Sequence, residues 1–368
     1  MIGERLAKSW LFYVITGFVI TSFGKCCGEF GAMGTGRDGS FLGRELDTVL
    51  WPLPGDGVTK LRFSDHSDRL LVSSWDSKLR LYDIASHTMK AEFQCQGPVL
   101  DGCFHDDGSG YSACADSNLT RYDFNTGSET TLGSHDGPIC SLEYSPATGQ
   151  VISGSWDKTL RCWDARSSSL AGTYAQPGGV SCMSLLEHRL VVATEGRHVL
   201  VYDVRKMSEA EQSTETHVRF QTRSVCCSPD GTGFAMGSID GRVIIDWFDP
   251  SEAQAKKYVF KCHRKGEGGP KIFYPVNALA FHPLYGTLAT GGGDRHVNVW
   301  DVHSRKRLYQ YSKCPNSISS LAFNRDGRLL AIASSSTFEE SDESTGPVKI
   351  FVRTVGEGEA KPVRRSAQ

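Results

Sequence analysis

Residues 153–166 read Ser-Gly-Ser-Trp-Asp-Lys-Thr-Leu-Arg-Cys-Trp-Asp-Ala-Arg. An apolar strand ends in Gly-Ser, Trp156-Asp157-Lys158 makes a tight turn, and an alternating strand closes on Trp163-Asp164. A near copy occupies residues 73–83, Ser-Ser-Trp-Asp-Ser-Lys-Leu-Arg-Leu-Tyr-Asp, and weaker copies recur along the chain. The strand-closing aspartates are Asp83, Asp123, Asp164, Asp203, Asp249 and Asp301, at spacings of 40, 41, 39, 46 and 52 residues. Before each stand an apolar strand, a polar turn and a second strand, as in residues 190–194 then 199–202. A period of about 40–45 residues with these endings marks a repeated unit of short strands that buries its faces only against its neighbours.

A seventh unit opens at Ser317-Ile318-Ser319-Ser320-Leu321-Ala322-Phe323. It continues through residues 329–334 and an acidic loop at 339–343 to residues 348–352, without a Trp-Asp ending. It supplies three strands, and residues 45–53 are placed to add the fourth. The pattern predicts an all-β, seven-bladed WD40 β-propeller closed by an N-terminal strand, which leaves no free sheet edge around the ring. The propeller is expected over residues 44–355, with a flexible tail at 356–368. Residues 1–43 form an extension outside it.

The extension carries an apolar run at residues 10–23 after Arg5 and Lys8. That run is shorter than the roughly 20 residues of a spanning helix. A signal peptide has an apolar core of this length, yet Gly24-Lys25-Cys26-Cys27 offers no small-x-small cleavage site. A third reading is that the segment is no part of the working protein, since Met33 begins an ordinary Gly-rich leader. These readings stay open.

With 368 residues the chain has the length of two or three domains, but all-β folds often exceed that span as one unit. A net charge of −2 argues against a generic nucleic-acid binder. The 12 cysteines include no C-x-x-C pair, so structural zinc is not expected. Cys103, Cys114, Cys140, Cys162, Cys182 and Cys226 fall in apolar runs and read as buried free thiols of a reducing compartment.

His135-Asp136, with Ser155 and Trp163 after it, suits a structural hydrogen-bond relay rather than catalysis, and Asp164 is a structural residue that closes the blade. No nucleophile order, phosphate loop or metal motif stands out, and Gly291-Gly292-Gly293 is a turn with no helix after it. Neither an enzyme nor a cofactor is expected. Strand alternation puts the second-to-third-strand turns on the face where each first strand is entered. Trp75 and Trp156 are thus expected as two exposed indoles on the rim that holds Arg223 and Arg242. Indoles anchor partners, and paired guanidinium groups clamp phosphate or carboxylate. Taken singly, a Trp beside such a turn only shields it, rim arginines keep a surface soluble, and the basic stretch 256–271 is a solvated insertion. Shared placement on one face favours binding.

From about Gly55 to Arg353 the chain resembles the spindle-checkpoint WD40 adaptors, the third budding-uninhibited-by-benzimidazoles family. The resemblance rests on Leu71-Val72-Ser73-Ser74-Trp75-Asp76, Gly154-Ser155-Trp156-Asp157 and Tyr258-Val259-Phe260-Lys261-Cys262-His263-Arg264. Tyr274-Pro275-Val276-Asn277-Ala278 and Ser319-Ser320-Leu321-Ala322-Phe323 add to it. A sister family of WD40 factors of mRNA export at the nuclear pore shares the Lys-Cys-His-Arg segment. Phe220-Gln221-Thr222-Arg223, Pro275 and Val297-Asn298-Val299-Trp300-Asp301 favour the checkpoint branch.

The resemblance implies a non-catalytic adaptor of the nucleus and kinetochore, found in part in the cytoplasm. Trp75 and Trp156 would grip a short motif of checkpoint kinase-type proteins. Arg223 and Arg242 would contact phosphothreonine in Met-Glu-Leu-Thr-type repeats of a kinetochore scaffold. Ubiquitin-bound or anaphase-promoting-complex regulators are further partners it implies; direct nucleic-acid and membrane contacts are not. The alternatives are an export adaptor and, from another class, an extracytoplasmic propeller with or without enzymatic activity.

Overall fold

The turn quoted above is built by one side chain. In the computed structural model, which describes residues 47–362 apart from 168, 217–219, 266–271 and 338–345, strands Gln150–Ser155 and Thr159–Asp164 flank it. Asp157 Oδ1 accepts from the Thr159 amide at 2.9 Å. Lys158 between them takes the left-handed conformation, φ 66°. Asp76, Asp116 and Asp294 accept in the same way from Lys78, Asn118 and His296. Ser77, Ser117 and Arg295 are the matching left-handed residues. An aspartate that bonds the backbone two residues on favours this turn locally, which is why the repeat is legible in the sequence.

Seven four-stranded antiparallel sheets result. They span residues 58–94, 99–134, 139–175, 180–215, 222–261, 276–310 and 318–354. The seventh takes its outer strand from the other end of the chain: Asp47–Val49 pairs with Lys349–Thr354, Asp47 opposite Arg353 and Val49 opposite Phe351. Closure therefore follows the expected pattern. The first strand of each blade packs on that of the next, and the seventh packs on the first. A two-stranded ribbon, Arg264–Lys265 with Ile272–Phe273, rises between the fifth and sixth blades. The helix Pro250–Lys256, capped by Asp249, fills the other insertion. Together they account for the longest repeat spacing.

The core is divided into seven apolar clusters, one between each pair of neighbouring blades. Between the third and fourth, Ile152 and Leu160 meet Val180, Met183, Leu190 and Val192. Between the seventh and first, Ile350 and Val352 meet Val58, Leu61 and Leu70. A side chain buried this completely contributes about 1.5–3 kcal/mol by leaving water. Serine and aspartate side chains on the inner strands then stitch blade to blade. Ser320 accepts from the Leu61 amide at 2.9 Å, Asp101 from Leu142 at 3.0 Å, Ser141 from Met183 at 3.2 Å and Ser184 from Cys227 at 3.0 Å.

His135 does sit in a buried relay, but its members differ from those expected. Its Nδ1 lies 2.8 Å from Asp157 Oδ2 and its Nε2 2.7 Å from Ser153 Oγ, which also accepts from Trp163 Nε1 at 2.8 Å. Ser155, one step further along the strand, instead donates to the Gly137 carbonyl. Asp164 faces the opposite end of the blade and accepts from the Arg166 and Ser167 amides. Two residues per repeat on one strand face place Ser153, not Ser155, level with the indole nitrogen. A second relay holds the sixth blade: His263 bridges Asp294 at 2.7 Å and Thr290 at 2.9 Å, and Trp300 donates to Thr290 at 3.0 Å.

The stretch expected to be a flexible tail is docked as far as residue 362. Glu357–Ala360 is a short helix with Ala360 buried, whose carbonyl accepts from Thr287 Oγ1 at 2.8 Å. Tyr311 donates to Glu359 at 3.2 Å, and Arg353 lies over the Tyr311 ring at 4.0 Å. Polar composition alone misses this, because the docking uses one small apolar residue and a carboxylate. Residues 1–46 and 363–368, with the readings made of them, lie outside the described residues, as do the acidic loop at 339–343 and residues 266–271 of the basic stretch.

Replacing His135 by Ala removes one buried hydrogen bond each from Ser153 and Asp157 and leaves a cavity in place of the ring, and is expected to cost about 3 kcal/mol. Urea unfolding would show it as a lower midpoint at an unchanged slope. Burial holds the His135 imidazole below its ordinary 6.5 despite the Asp157 contact. Burial pushes Asp157 up, but hydrogen bonds from Thr159 and His135 outweigh it and hold the carboxyl below 3.8. As pH falls below 6.5 the unfolded chain takes up a proton that folded His135 resists, so stability drops; below 3.8 the Asp157 contribution is lost in its turn. The gap between wild type and His135→Gln should therefore narrow on acidification. A gap independent of pH would contradict this assignment.

Candidate functional site

The second-to-third-strand turns and the connections entering each blade meet around the propeller axis. There they enclose a cavity of about 200 Å³, smaller than the roughly 300–1,000 Å³ of small-molecule pockets. Its size suits side chains of a bound segment. Its wall has a common construction. In the first strand of every blade one residue is squeezed out of the ladder: Thr59, Leu100, Cys140, Ser181, Arg223, Asn277 and Ser319. All seven line the cavity. A bulge re-aims its extra side chain, and the ring uses this in two ways. Thr59 donates to the Val99 carbonyl at 2.6 Å and Asn277 to that of Ile318 at 3.1 Å, tying each blade to the next. Arg223 is the charged member of the ring.

Trp75 and Trp156 line the same cavity as Arg223. The two indoles are not equally available. Trp156 is half-buried, whereas Trp75 is only 8% exposed, in contrast to the expected exposed pair. The connection entering the first blade folds against the Trp75 turn: Trp75 N donates to the Gly57 carbonyl at 2.9 Å and Gly55 N to Asp76 at 2.9 Å. Trp51, on that connection, is 75% exposed. Reading the turns alone passed over it, because it lies outside the repeat.

Arg242 does not line the cavity. It opens the third strand of its blade, where its Nε lies 2.9 Å from Asp240 Oδ2. Arg264, from the ribbon, donates to the same oxygen at 2.9 Å and stacks on Phe273 at 4.6 Å. Two guanidinium groups thus share one buried carboxylate, leaving an excess positive charge at the fifth blade. Burial lowers the Arg264 pKa from its ordinary value, with Asp240 opposing and Arg242 adding to that shift. The sequence reading missed Arg264 and Asp240 as site residues, although Arg264 stood in the Lys-Cys-His-Arg segment it singled out.

Deeper along the axis, three residues past the bulged Thr59, Arg62 Nη1 lies 2.6 Å from Glu143, and Nη2 lies 3.6 Å from Asp101. Burial opposes the Arg62 charge, but Glu143 and Asp101 outweigh it. Burial likewise pushes the Glu143 carboxyl up against the attraction of Arg62. Lys60 lines the cavity above this cluster. Among the described residues no group of three or more His, Cys, Asp or Glu side chains could hold a metal ion. The arrangement offers indole surface and fixed cations to an acidic or phosphorylated peptide.

Known proteins provide an independent comparison. The family described as WD domain, G-beta repeat, matches residues 48–83, 127–164 and 257–301. Mitotic checkpoint protein BUB3.1 of Arabidopsis thaliana is 58% identical over 87% of this chain and 95% of that protein. Mitotic checkpoint protein bub3 of Dictyostelium discoideum is 40% identical over 84% of this chain and 96% of that protein. The poly(A)+ RNA export protein of Schizosaccharomyces pombe is 34% identical over 84% of this chain and 90% of that protein. Among solved structures, that of U3-55K aligns with a TM-score of 0.74 over 84% of this chain and 98% of that one, at 16% identity, a likeness of fold. On these identities and coverages, the chain belongs to the mitotic checkpoint BUB3 family of WD40 proteins.

Proposed function

We propose that the protein is a non-catalytic adaptor of the spindle-assembly checkpoint that brings checkpoint kinase-type partners to the kinetochore by reading a phosphorylated scaffold. In this reading Trp75 and Trp156 hold a short motif of the kinase-type partner over the axial cavity. Arg223 and Arg242 hold phosphothreonine of Met-Glu-Leu-Thr-type repeats, with Arg264 beside them. The observation that carries the reading is the sharing of one cavity by Trp75, Trp156 and Arg223 in a chain of the checkpoint family. Phosphothreonine brings about −1.5 to −2 charges and three acceptor oxygens. It would draw Arg242 and Arg264 away from their shared carboxylate, so affinity should depend steeply on the phosphate. The export alternative rests on relatives at 34% identity, below the 58% of a checkpoint relative.

Anisotropy titration of a labelled Met-Glu-Leu-Thr-type peptide is expected to show binding of the phosphorylated form and little of the unmodified one. Arg223→Ala or Arg242→Ala should each weaken it by about 1.5–3 kcal/mol, roughly tenfold to a hundredfold. Equal binding of both forms would end this reading, and co-purification of a nuclear-pore protein instead of a checkpoint kinase would favour export. Trp156→Ala is expected to abolish capture of the kinase-type motif while sparing the phosphopeptide. Trp75→Ala should also lower the urea midpoint, because that indole is 8% exposed.

A further inference from the structure

The relay that staples the third blade has a counterpart in the second blade, built from different chemistry. His135 follows the outer strand of the second blade, its amide donating to the Ser117 carbonyl at 2.9 Å. At the matching place after the outer strand of the first blade stands Cys95, whose amide donates to the Ser77 carbonyl at 2.8 Å. Ser112 and Tyr122 take the positions of Ser153 and Trp163 on their strands, and Cys114 takes that of Ser155. The imidazole has thus become a thiol, and a second thiol has entered the same cluster.

The four side chains form one chain of contacts. Cys95 Sγ lies 3.1 Å from Tyr122 Oη, which lies 3.1 Å from Ser112 Oγ, which in turn lies 3.6 Å from Cys114 Sγ. Both sulfurs belong to the apolar cluster that joins the first and second blades, and both are reduced. Tyr122 and Ser112 thus link the two thiols. A hydrogen bond from Cys114 holds the Cys95 thiol below its ordinary range, helped by Tyr122 and Ser112. The Cys114 thiol is pushed far up, first by Cys95 and then by burial. Of the two, Cys95 is also the more accessible, 8% exposed against 2% for Cys114, which makes it the sulfur to react first. Cys140, Cys162 and Cys182 are instead pushed up by burial.

We propose that Cys95 and Cys114 are a peroxide-sensitive pair that closes to a disulfide and staples the first blade to the second. The Cys95 thiolate attacks one oxygen of a hydroperoxide. The O–O bond breaks, hydroxide leaves and takes a proton, and Cys95 becomes a sulfenic acid. The Cys114 sulfur then attacks the Cys95 sulfur, the S–O bond breaks, and the departing hydroxide takes the Cys114 proton. Two thiols and one hydrogen peroxide give one disulfide and two waters. Cys95 opens the connection 95–98, which enters the second blade on the face of the axial cavity, so the bond would lock one wall of that rim.

The test is peptide mapping of the full chain after exposure to excess hydrogen peroxide, without reduction and with the remaining thiols alkylated. A Cys95–Cys114 linked peptide that disappears on dithiothreitol treatment is the expected result. Cys114→Ser should lose the link and accumulate a sulfenic acid at Cys95 that dimedone traps, and Cys95→Ser should show neither product. Urea unfolding of each serine variant confirms that the mapped chain is folded, and the wild-type map stands without the variants. Recovery of both cysteines as alkylated thiols while other cysteines oxidise would overturn the proposal. So would links that join either of them to a different cysteine.

Discussion

Each sheet in this protein is apolar on both faces, and that constraint shapes everything else. A single blade would leave two greasy surfaces and two open edges. Seven of them, each turned on its neighbour, cover every face with the next and need only one seam. The seam is made by pairing Asp47–Val49 with Lys349–Thr354, and the apolar cluster beneath it contains Leu50 with Ile350 and Val352. A sheet edge that would otherwise template association is consumed inside the molecule. The docked helix Glu357–Ala360 extends the same logic, tying the seventh blade to the sixth through Thr287 and Tyr311.

Within this frame, the buried positions between blades that correspond to His135 are held in hydrogen-bonded networks. The third and sixth blades use aspartate, histidine, a hydroxyl and an indole, so every ring nitrogen and the indole N–H find a partner. The fourth uses Gln176 with Tyr202, and the second uses Cys95 with Tyr122 and Ser112. One position in the fold thus accepts an imidazole, an amide or a thiol, provided its hydrogen bonds close. Stability asks for satisfaction of the network rather than for a particular residue, which leaves room for the members to acquire distinct reactivity.

The axial cavity arises from the same regularity. Seven bulges at one level turn seven side chains toward the axis, and their chemistry is free to vary because the ladder on either side is intact. The result is a largely neutral ring with Arg223 in it, a buried Arg62–Glu143–Asp101 cluster below, and Arg242 with Arg264 around Asp240 on the rim. The buried cluster sets one cation against two carboxylates. The rim cluster has two cations to one carboxylate, so its positive charge is unbalanced.

What the sequence determined by itself was whatever is encoded within a few residues. The turn aspartates bond backbone two positions on, the strands alternate with period two, and Trp-Asp or Tyr-Asp closes each unit. Fold class, blade count, the closing strand and the face shared by Trp75, Trp156 and Arg223 follow from those local rules. Contacts between residues distant in sequence were decided only by the tertiary structure. Thr59, Leu100, Cys140 and Asn277 share no side-chain chemistry that would announce a common bulge. Ser153 rather than Ser155 meets His135, because the relative height of strands on two blades sets the register. Trp75 is covered by a connection from another part of the chain. Asp240 gathers Arg242 from its own blade and Arg264 from the ribbon, and neighbouring blades bring Cys95 and Cys114 to one pair of hydroxyls, Tyr122 and Ser112. Local backbone chemistry writes the repeat; the packing of blade on blade, which no single repeat contains, writes the site.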